Sequence, residues 1–259
     1  MSEWIWLVSG TGDGPPLARE LLHRGWRVLV TVVTAEAARA YADQPNCSVQ
    51  IGVLQHDGAV DRVLESHQPH WVLDCTHPFA ADISARLERV CSRRGQRLLR
   101  LERAPVDAAS ADRFISTIAS LSTLRDLPLA EHRLLLAIGS RHLAAALRES
   151  TAQEHFARIL DRPLSLQQAL SSGLCPSRIA CVRPGHLPDG ALESALCRAW
   201  GITAVLCRQS GGLVEQLWRD LAQREGLQLV LISPPSAPGS QGLLLPALLE
   251  KLGCPGGQA

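Results

Sequence analysis

The strongest constraint on the fold is a rhythm in the chain. Short runs of Val, Ile and Leu alternate with longer segments of helical period, first at Trp4 to Val8, then Pro16 to Arg24, then Arg27 to Val33. Apolar runs of about four to eight residues are strand-sized, and the longer amphipathic segments between them have the period of a helix packed on one face. Strands joined through a helix lie parallel. A parallel sheet is covered on both faces, which is why its strands are nearly continuous apolar runs.

The alternation continues with strands at Val49 to Val53, Trp71 to Asp74 and Gln96 to Leu101, and helices at Asp57 to Ser66 and Phe79 to Arg93. From Glu102 to Glu131 it lapses into Pro105, Pro128 and scattered Ser, Asp and Ala, with Arg113 to Ile118 as one further strand candidate. It then restarts with strands at Arg133 to Ile138, His155 to Leu160, Arg178 to Val182, Thr203 to Cys207 and Gln228 to Ile232. Helices at Arg141 to Arg148, Ser165 to Ser172, Asp189 to Trp200 and Leu213 to Arg224 fall between them. A loop at Pro234 to Gly242, a helix at Leu243 to Leu252 and a frayed tail from Gly253 to Ala259 close the chain. The expected fold is α/β: two Rossmann-like parallel-sheet domains, residues 1–131 and 132–259, with a cleft between them.

Composition removes several classes of function. In 259 residues, 26 Lys+Arg face 25 Asp+Glu, so no global field draws a nucleic acid or an anionic membrane, and 4% aromatic residues leave little to stack on bases. Lys251 is the only lysine, which removes Schiff-base and P-loop chemistry, and Tyr41, the only tyrosine, has no lysine at short-chain-dehydrogenase spacing. The eight cysteines form no C-x-x-C pair and are read as buried thiols of a cytoplasmic protein. Cys75 and His77 lack a second pair at ligand spacing, so no metal site is expected. The first residues show neither a basic n-region nor a membrane-length apolar run.

In open parallel sheets, ligands bind outside the carboxyl ends of the strands, so the residues that follow each strand are the informative ones. After the first strand comes Ser9-Gly10-Thr11-Gly12-Asp13-Gly14, glycine-rich and opening a helix, a pattern that lets backbone N–H groups approach a phosphate. It departs from G-x-G-x-x-G in having Pro15 where the third glycine belongs. After the second strand, Thr34 and Arg39 suit the 2′-phosphate of NADP, with Glu36 as the alternative partner of an NAD ribose. After the strand ending at Asp74 comes Cys75-Thr76-His77-Pro78-Phe79-Ala80, read as a helix start with Pro78 in the first turn and Thr76 or His77 as cap. In the second half, Gly139-Ser140 and Arg208-Gln209-Ser210-Gly211-Gly212 each precede a helix and offer anion-ready N-termini.

Together these residues resemble the precorrin-6A reductase family of cobalamin biosynthesis, including its cobalt-precorrin-6A variant. The likeness covers most of the chain: the glycine loop, the Asp74 to Ser84 segment with its Thr-His-Pro-Phe-Ala run, Leu99-Arg100-Leu101-Glu102-Arg103, Gly139-Ser140, Arg158-Ile159-Leu160 and Ser210-Gly211-Gly212. This chain has Arg208 where the family commonly has lysine, and Ser233-Pro234 where it has Arg-Pro. The resemblance implies two Rossmann-like domains, NADPH as cofactor, a tetrapyrrole substrate, and hydride reduction of a macrocycle double bond to give precorrin-6B. It implies cofactor contacts from Gly10, Thr11, Gly12, Asp13, Gly14, Thr34, Arg39, Thr76, His77, Pro78, Ser210, Gly211 and Gly212. Substrate carboxylates would fall to Arg100, Arg103, Ser140, Arg141, Arg208 or Arg183, and proton donation to His77 or Asp74. Other cobalamin-pathway enzymes are candidate partners. The rival readings are another NAD(P)-dependent reductase of a polyanionic substrate, and a nucleotide-sensing regulatory domain.

Overall fold

The computed structural model describes residues 3–106, 114–182, 190–235 and 242–255. The first part of the chain runs β1 (Trp4–Ser9), α1 (Gly14–His23), β2 (Arg27–Val32), α2 (Ala35–Ala38), β3 (Cys47–Ile51), α3 (Asp57–His67), β4 (Trp71–Cys75), α4 (Ala81–Arg94) and β5 (Leu98–Glu102). The middle runs β6 (Ile115–Ile118), β7 (Arg133–Ala137), α5 (Leu143–Glu149), β8 (Glu154–Ile159), α6 (Pro163–Ser171), β9 (Ile179–Cys181), α7 (Ala191–Trp200), β10 (Ala204–Arg208), α8 (Gly212–Glu225) and β11 (Gln228–Ile232). The chain then adds β12 (Gly242–Leu244) and α9 (Leu245–Leu252).

The strands form two six-stranded sheets, ordered β12-β5-β4-β1-β2-β3 and β6-β11-β10-β7-β8-β9. Every strand pairing is parallel. Both sheets follow the doubly wound order 3-2-1-4-5 with a sixth strand beyond the fifth. The sixth place is filled differently in each. In the first sheet it holds β12, from the far end of the chain; in the second it holds β6, which precedes the unit's own first strand.

Two compact units result, Met1–Arg103 with Pro235–Ala259, and Ala104–Pro234. The expected boundary at 131/132 is therefore displaced in two ways. Ile115–Ile118, which the irregular composition around it placed in the first half, pairs in register with β11 of the second sheet. The C-terminal segment returns to the first sheet, where β12 pairs with β5, Gly242 opposite Arg100. Leu243 and Leu244, expected in the last helix, are strand; Pro246 lies in the first turn of α9, where its missing N–H costs nothing.

Burial follows the two-faced character of a parallel sheet. On β1, Ile5 and Leu7 enter one apolar cluster with α1 and α9, while Trp6 and Val8 enter another with α3 and α4. The fully buried Trp6 donates its indole N–H to Thr31 Oγ1 at 2.8 Å, so the one polar atom of a large core side chain is satisfied across the ladder. Across α3 and α4, Arg89, Arg93 and Arg94 pair with Asp57, Asp61 and Glu65 on the solvent side. Cys75, Cys91, Cys197 and Cys207 are buried as expected, but Cys175, Cys181 and Cys254 are exposed, at a loop, an edge strand and the stretch after α9. Among the described residues no helix is long and apolar enough to cross a membrane.

Leu248 is fully buried in the core of the first unit although it lies at the far end of the sequence. Leu248→Ala is expected to lower the unfolding free energy by about 2–5 kcal/mol, as for other large-to-small core changes, measured by urea denaturation.

Candidate functional site

In each sheet the strand order reverses at one point, between β1 and β4 in the first and between β7 and β10 in the second. At such a point the flanking connections leave toward opposite faces and open a crevice at the carboxyl ends.

At the first crevice, β1 ends at the buried Ser9 and the chain turns through the glycine loop into α1. Tyr41 donates its hydroxyl proton to Ser9 Oγ at 2.8 Å, and burial pushes the phenol up to about 12, so it remains a donor at any ordinary pH. A Cβ on Gly14 would overlap both hydroxyl oxygens. Gly14 is thus the residue that lets the helix approach the strand, the part played by the last glycine of a dinucleotide loop. Gly10 and Gly12 differ. Neither has a positive φ, and beyond its chain neighbours a Cβ on either would meet no atom of the described residues within 4 Å. Open space above small residues at a switch point is what the close approach of a phosphate needs.

Side chains tie this loop to the neighbouring strands. The Thr11 hydroxyl lies 2.8 Å from Asp13 Oδ2 and 3.4 Å from the Cys75 carbonyl at the end of β4. Arg103, directly after β5, donates from Nε and Nη2 to Asp13 Oδ2 at 2.9 and 2.7 Å. Its guanidinium is thus engaged by an acidic group of its own unit rather than standing ready for a substrate carboxylate.

Asp74 was expected to supply a proton and Arg100 to hold substrate; the structure corrects both. Asp74 and Arg100 are opposite each other in the β4–β5 register and only 3% and 7% exposed. Asp74 Oδ1 accepts from the Thr76 N–H at 3.0 Å and the Thr76 hydroxyl at 2.6 Å, and Oδ2 lies 3.5 Å from Arg100 Nη1. With its oxygens facing these donors, Asp74 shapes the turn after β4. The Thr-His-Pro-Phe-Ala run is that turn and not a helix start: Ala80 N–H donates to the His77 carbonyl at 2.7 Å, and α4 begins at Ala81 with no side-chain cap. Pro78 takes the second position of the turn, where its fixed φ fits. His77, half-buried, accepts the Phe79 N–H on Nδ1 at 3.2 Å, so its neutral ring carries the proton on Nε2. Burial pushes the Cys75 thiol up to about 12, which removes thiolate chemistry at neutral pH.

Beyond β2, Thr34 caps α2 by accepting the Ala37 N–H at 3.2 Å, which leaves its hydroxyl proton to donate. Arg39 is exposed and carries no ion-pair partner among the described residues.

At the second crevice, Gly139 adopts φ +84, and Ser140 donates its hydroxyl to Gln168 Oε1 at 2.8 Å. A Cβ on Gly139 would stand 3.9 Å from an Arg208 nitrogen, so Arg208 folds over the end of β7. Burial and the Arg141 charge press the Arg208 guanidinium down, and burial with both arginine charges holds the His142 imidazole below its ordinary value. His142 is therefore neutral at pH 7, and the positive charge here belongs to the arginines. Ser210 is buried, and Gly211 and Gly212 have φ of +68 and +72. The anion-ready N-terminus expected at α8 is already taken: buried Glu215 accepts the Gly211 N–H at 2.8 Å and pairs with Arg219 at 2.7 Å. In the same unit Arg158 of β8 is buried 3.0 Å from Glu193 of α7. Arg183 lies outside the described residues. Sequence reasoning missed Tyr41, which the fold brings under the glycine loop from 32 residues away, and passed over His142 and Glu215, which lie within three residues of positions it singled out at Arg141 and Gly212.

Two doubly wound parallel sheets with polar loops at their switch points define an α/β protein of the Rossmann-like type. The chain matches the family model of precorrin-6x reductase CbiJ/CobK over residues 4–249 and belongs to that family. It is 31% identical over 238 residues to a cobalt-precorrin-6A reductase of Synechocystis, covering 91% of this chain and 90% of that protein. It is 30% identical over 238 residues to a precorrin-6A reductase of Rhodobacter capsulatus, with 90% and 88% covered. Among solved structures it superposes on a CobK precorrin-6A reductase with a TM-score of 0.77 at 26% identity, over 99% of this chain and 100% of that one. The resemblance carried by the residues after β1 and β4 is borne out.

Removing one member of a buried ion pair strands the other. Asp74→Ala is expected to cost about 3–5 kcal/mol of stability, read as a lowered urea midpoint.

Proposed function

We propose that the protein reduces a ring double bond of precorrin-6A, or of its cobalt complex, to give precorrin-6B, with NADPH as the reductant. The observation that carries this reading is the loop after β1 in a chain of the precorrin-6x reductase family: Gly10 and Gly12 leave space that neither backbone strain nor a neighbouring atom explains. The residues present fit the cofactor. Gly10 to Gly14 would receive its pyrophosphate, while Thr34 and Arg39 would receive the 2′-phosphate, since Thr34 keeps a donor proton and Arg39 an uncommitted charge. NADPH supplies, when bound, the hydride that reduces the ring. Thr76, His77 and Pro78 would line the loop facing it, held in place by Asp74.

The protein's own groups then have three tasks. Arg141 and Arg208 would grip carboxylates of the macrocycle; guanidinium forks do this bidentately, and an anion relieves the mutual repulsion that presses on Arg208. Ser140 and the Ser210-Gly211-Gly212 turn would stand beside those arginines, shortly after β7 and β10. His77, accepting the Phe79 N–H on Nδ1, would offer its Nε2–H as a hydrogen-bond donor that orients the ring, and water would supply the proton to the carbon next to the reduced one. Orientation of this kind accounts for most of the acceleration available when two reactants must meet in one geometry. The eight cysteines are all free thiols, three of them exposed, which accords with a cytoplasmic protein whose thiols stay reduced.

Mixing the protein anaerobically with NADPH and precorrin-6A, or its cobalt form, is expected to oxidise NADPH and add two hydrogens to the macrocycle, followed by nicotinamide absorbance and mass spectrometry. No oxidation with either substrate would reject the reading. Arg39→Ala is expected to weaken NADPH binding by about tenfold, equivalent to about 1.4 kcal/mol, with NADH binding unchanged; equal losses for both nucleotides would remove Arg39 from the 2′-phosphate.

A further inference from the structure

Asp13 occupies the N-cap position of α1, a place where an aspartate ordinarily accepts the N–H of the second or third helical residue. Here those residues are Pro15 and Pro16, which have no N–H to give. The backbone of Asp13 is accordingly helical, at φ −78 and ψ −24, and its side chain makes no cap bond. Its carboxylate instead sits among Thr11 Oγ1 at 2.8 Å and two nitrogens of Arg103 at 2.9 and 2.7 Å, all on Oδ2. The pair is partly shielded, with side chains 39% and 20% exposed. An acidic group inside a loop that receives phosphates is an electrostatic conflict, because like charges at close range oppose binding.

We propose that Arg103 is a positioning residue for the cofactor loop: it cancels the charge of Asp13 and fastens the loop to the end of β5, so that an anionic nucleotide can settle on Gly10 to Gly14. This rests on the reading of that loop as the NADPH site. Arg103 acts through Asp13 and makes no contact with the nucleotide. Thr11 completes the fastening, because the same hydroxyl that meets Asp13 also lies against the Cys75 carbonyl of β4. The loop is thereby referenced to two strands besides the one it leaves.

The charge balance gives a test by double-mutant cycle, with NADPH affinity of the full chain measured by titration calorimetry. Arg103→Met leaves Asp13 uncompensated and is expected to raise Kd at least about tenfold, with a loss that shrinks as salt is added. Asp13→Asn alone is expected to bind NADPH as tightly as the wild type or more so. The double variant is neutral again and is expected to return to within about threefold of wild type, because the cost lies in the unpaired charge and not in a lost contact. With NADPH saturating, kcat of Arg103→Met is expected to match wild type while KM for NADPH rises. A double variant as weak as Arg103→Met would overturn the proposal, as it would mean that the guanidinium touches the ligand or only props the fold. Tenfold weaker binding by Asp13→Asn would overturn it too, and that arm holds even if Arg103→Met fails to fold. A wild-type protein that binds no NADPH would instead reject the nucleotide reading itself.

Discussion

A parallel ladder can be built only if each connection crosses back over the sheet, and that single requirement governs the rest of this structure. All carboxyl ends of a sheet then fall on one edge. Connections on either side of the order reversal part company there, and what they leave is space lined by loops instead of packed side chains. In the first unit the space is tuned from below by Ser9 and Tyr41, which Gly14 alone allows the helix to approach. The packing under the loop is tight so that the surface above it is open.

Charges near these edges are held in pairs. Asp74 faces Arg100, Asp13 faces Arg103, Glu215 faces Arg219 and Glu193 faces Arg158. Buried pairs contribute little net stability when weighed against apolar replacements, because desolvation offsets most of the attraction. Their effect here is geometric. Each fixes the direction of a loop or a strand end, and arginine, with a planar fork of donors, suits that task better than the lysine this chain scarcely uses.

The fold class was legible because burial on two faces writes itself into composition: Ile5, Trp6, Leu7 and Val8 need an apolar surrounding whichever way they point. The glycine loop and the Thr-His-Pro-Phe-Ala run were legible as chemistry, since both follow strands that are easy to find. Roles inside them were not. Arg100 read as a grip for substrate carboxylates, and only the strand register shows Asp74 opposite it. Thr76 and His77 looked like caps, and only the turn at His77 to Ala80 shows that the helix starts later. The unit boundary was hidden for a similar reason. Gly242–Leu244 is a strand of three residues whose neighbour lies more than a hundred positions away, and no local pattern reports such a pairing.

That exchange of edge strands also sets an order of assembly. The middle unit is one continuous stretch of chain and has all its strands once residue 232 has been made. The unit holding the glycine loop is synthesised first, yet it must wait with β5 as an open edge and with Leu248, Leu249 and Leu252 missing from its core until the last helix leaves the ribosome. The part of the molecule that begins earliest is finished last, and during translation the glycine loop rests on a half-built platform.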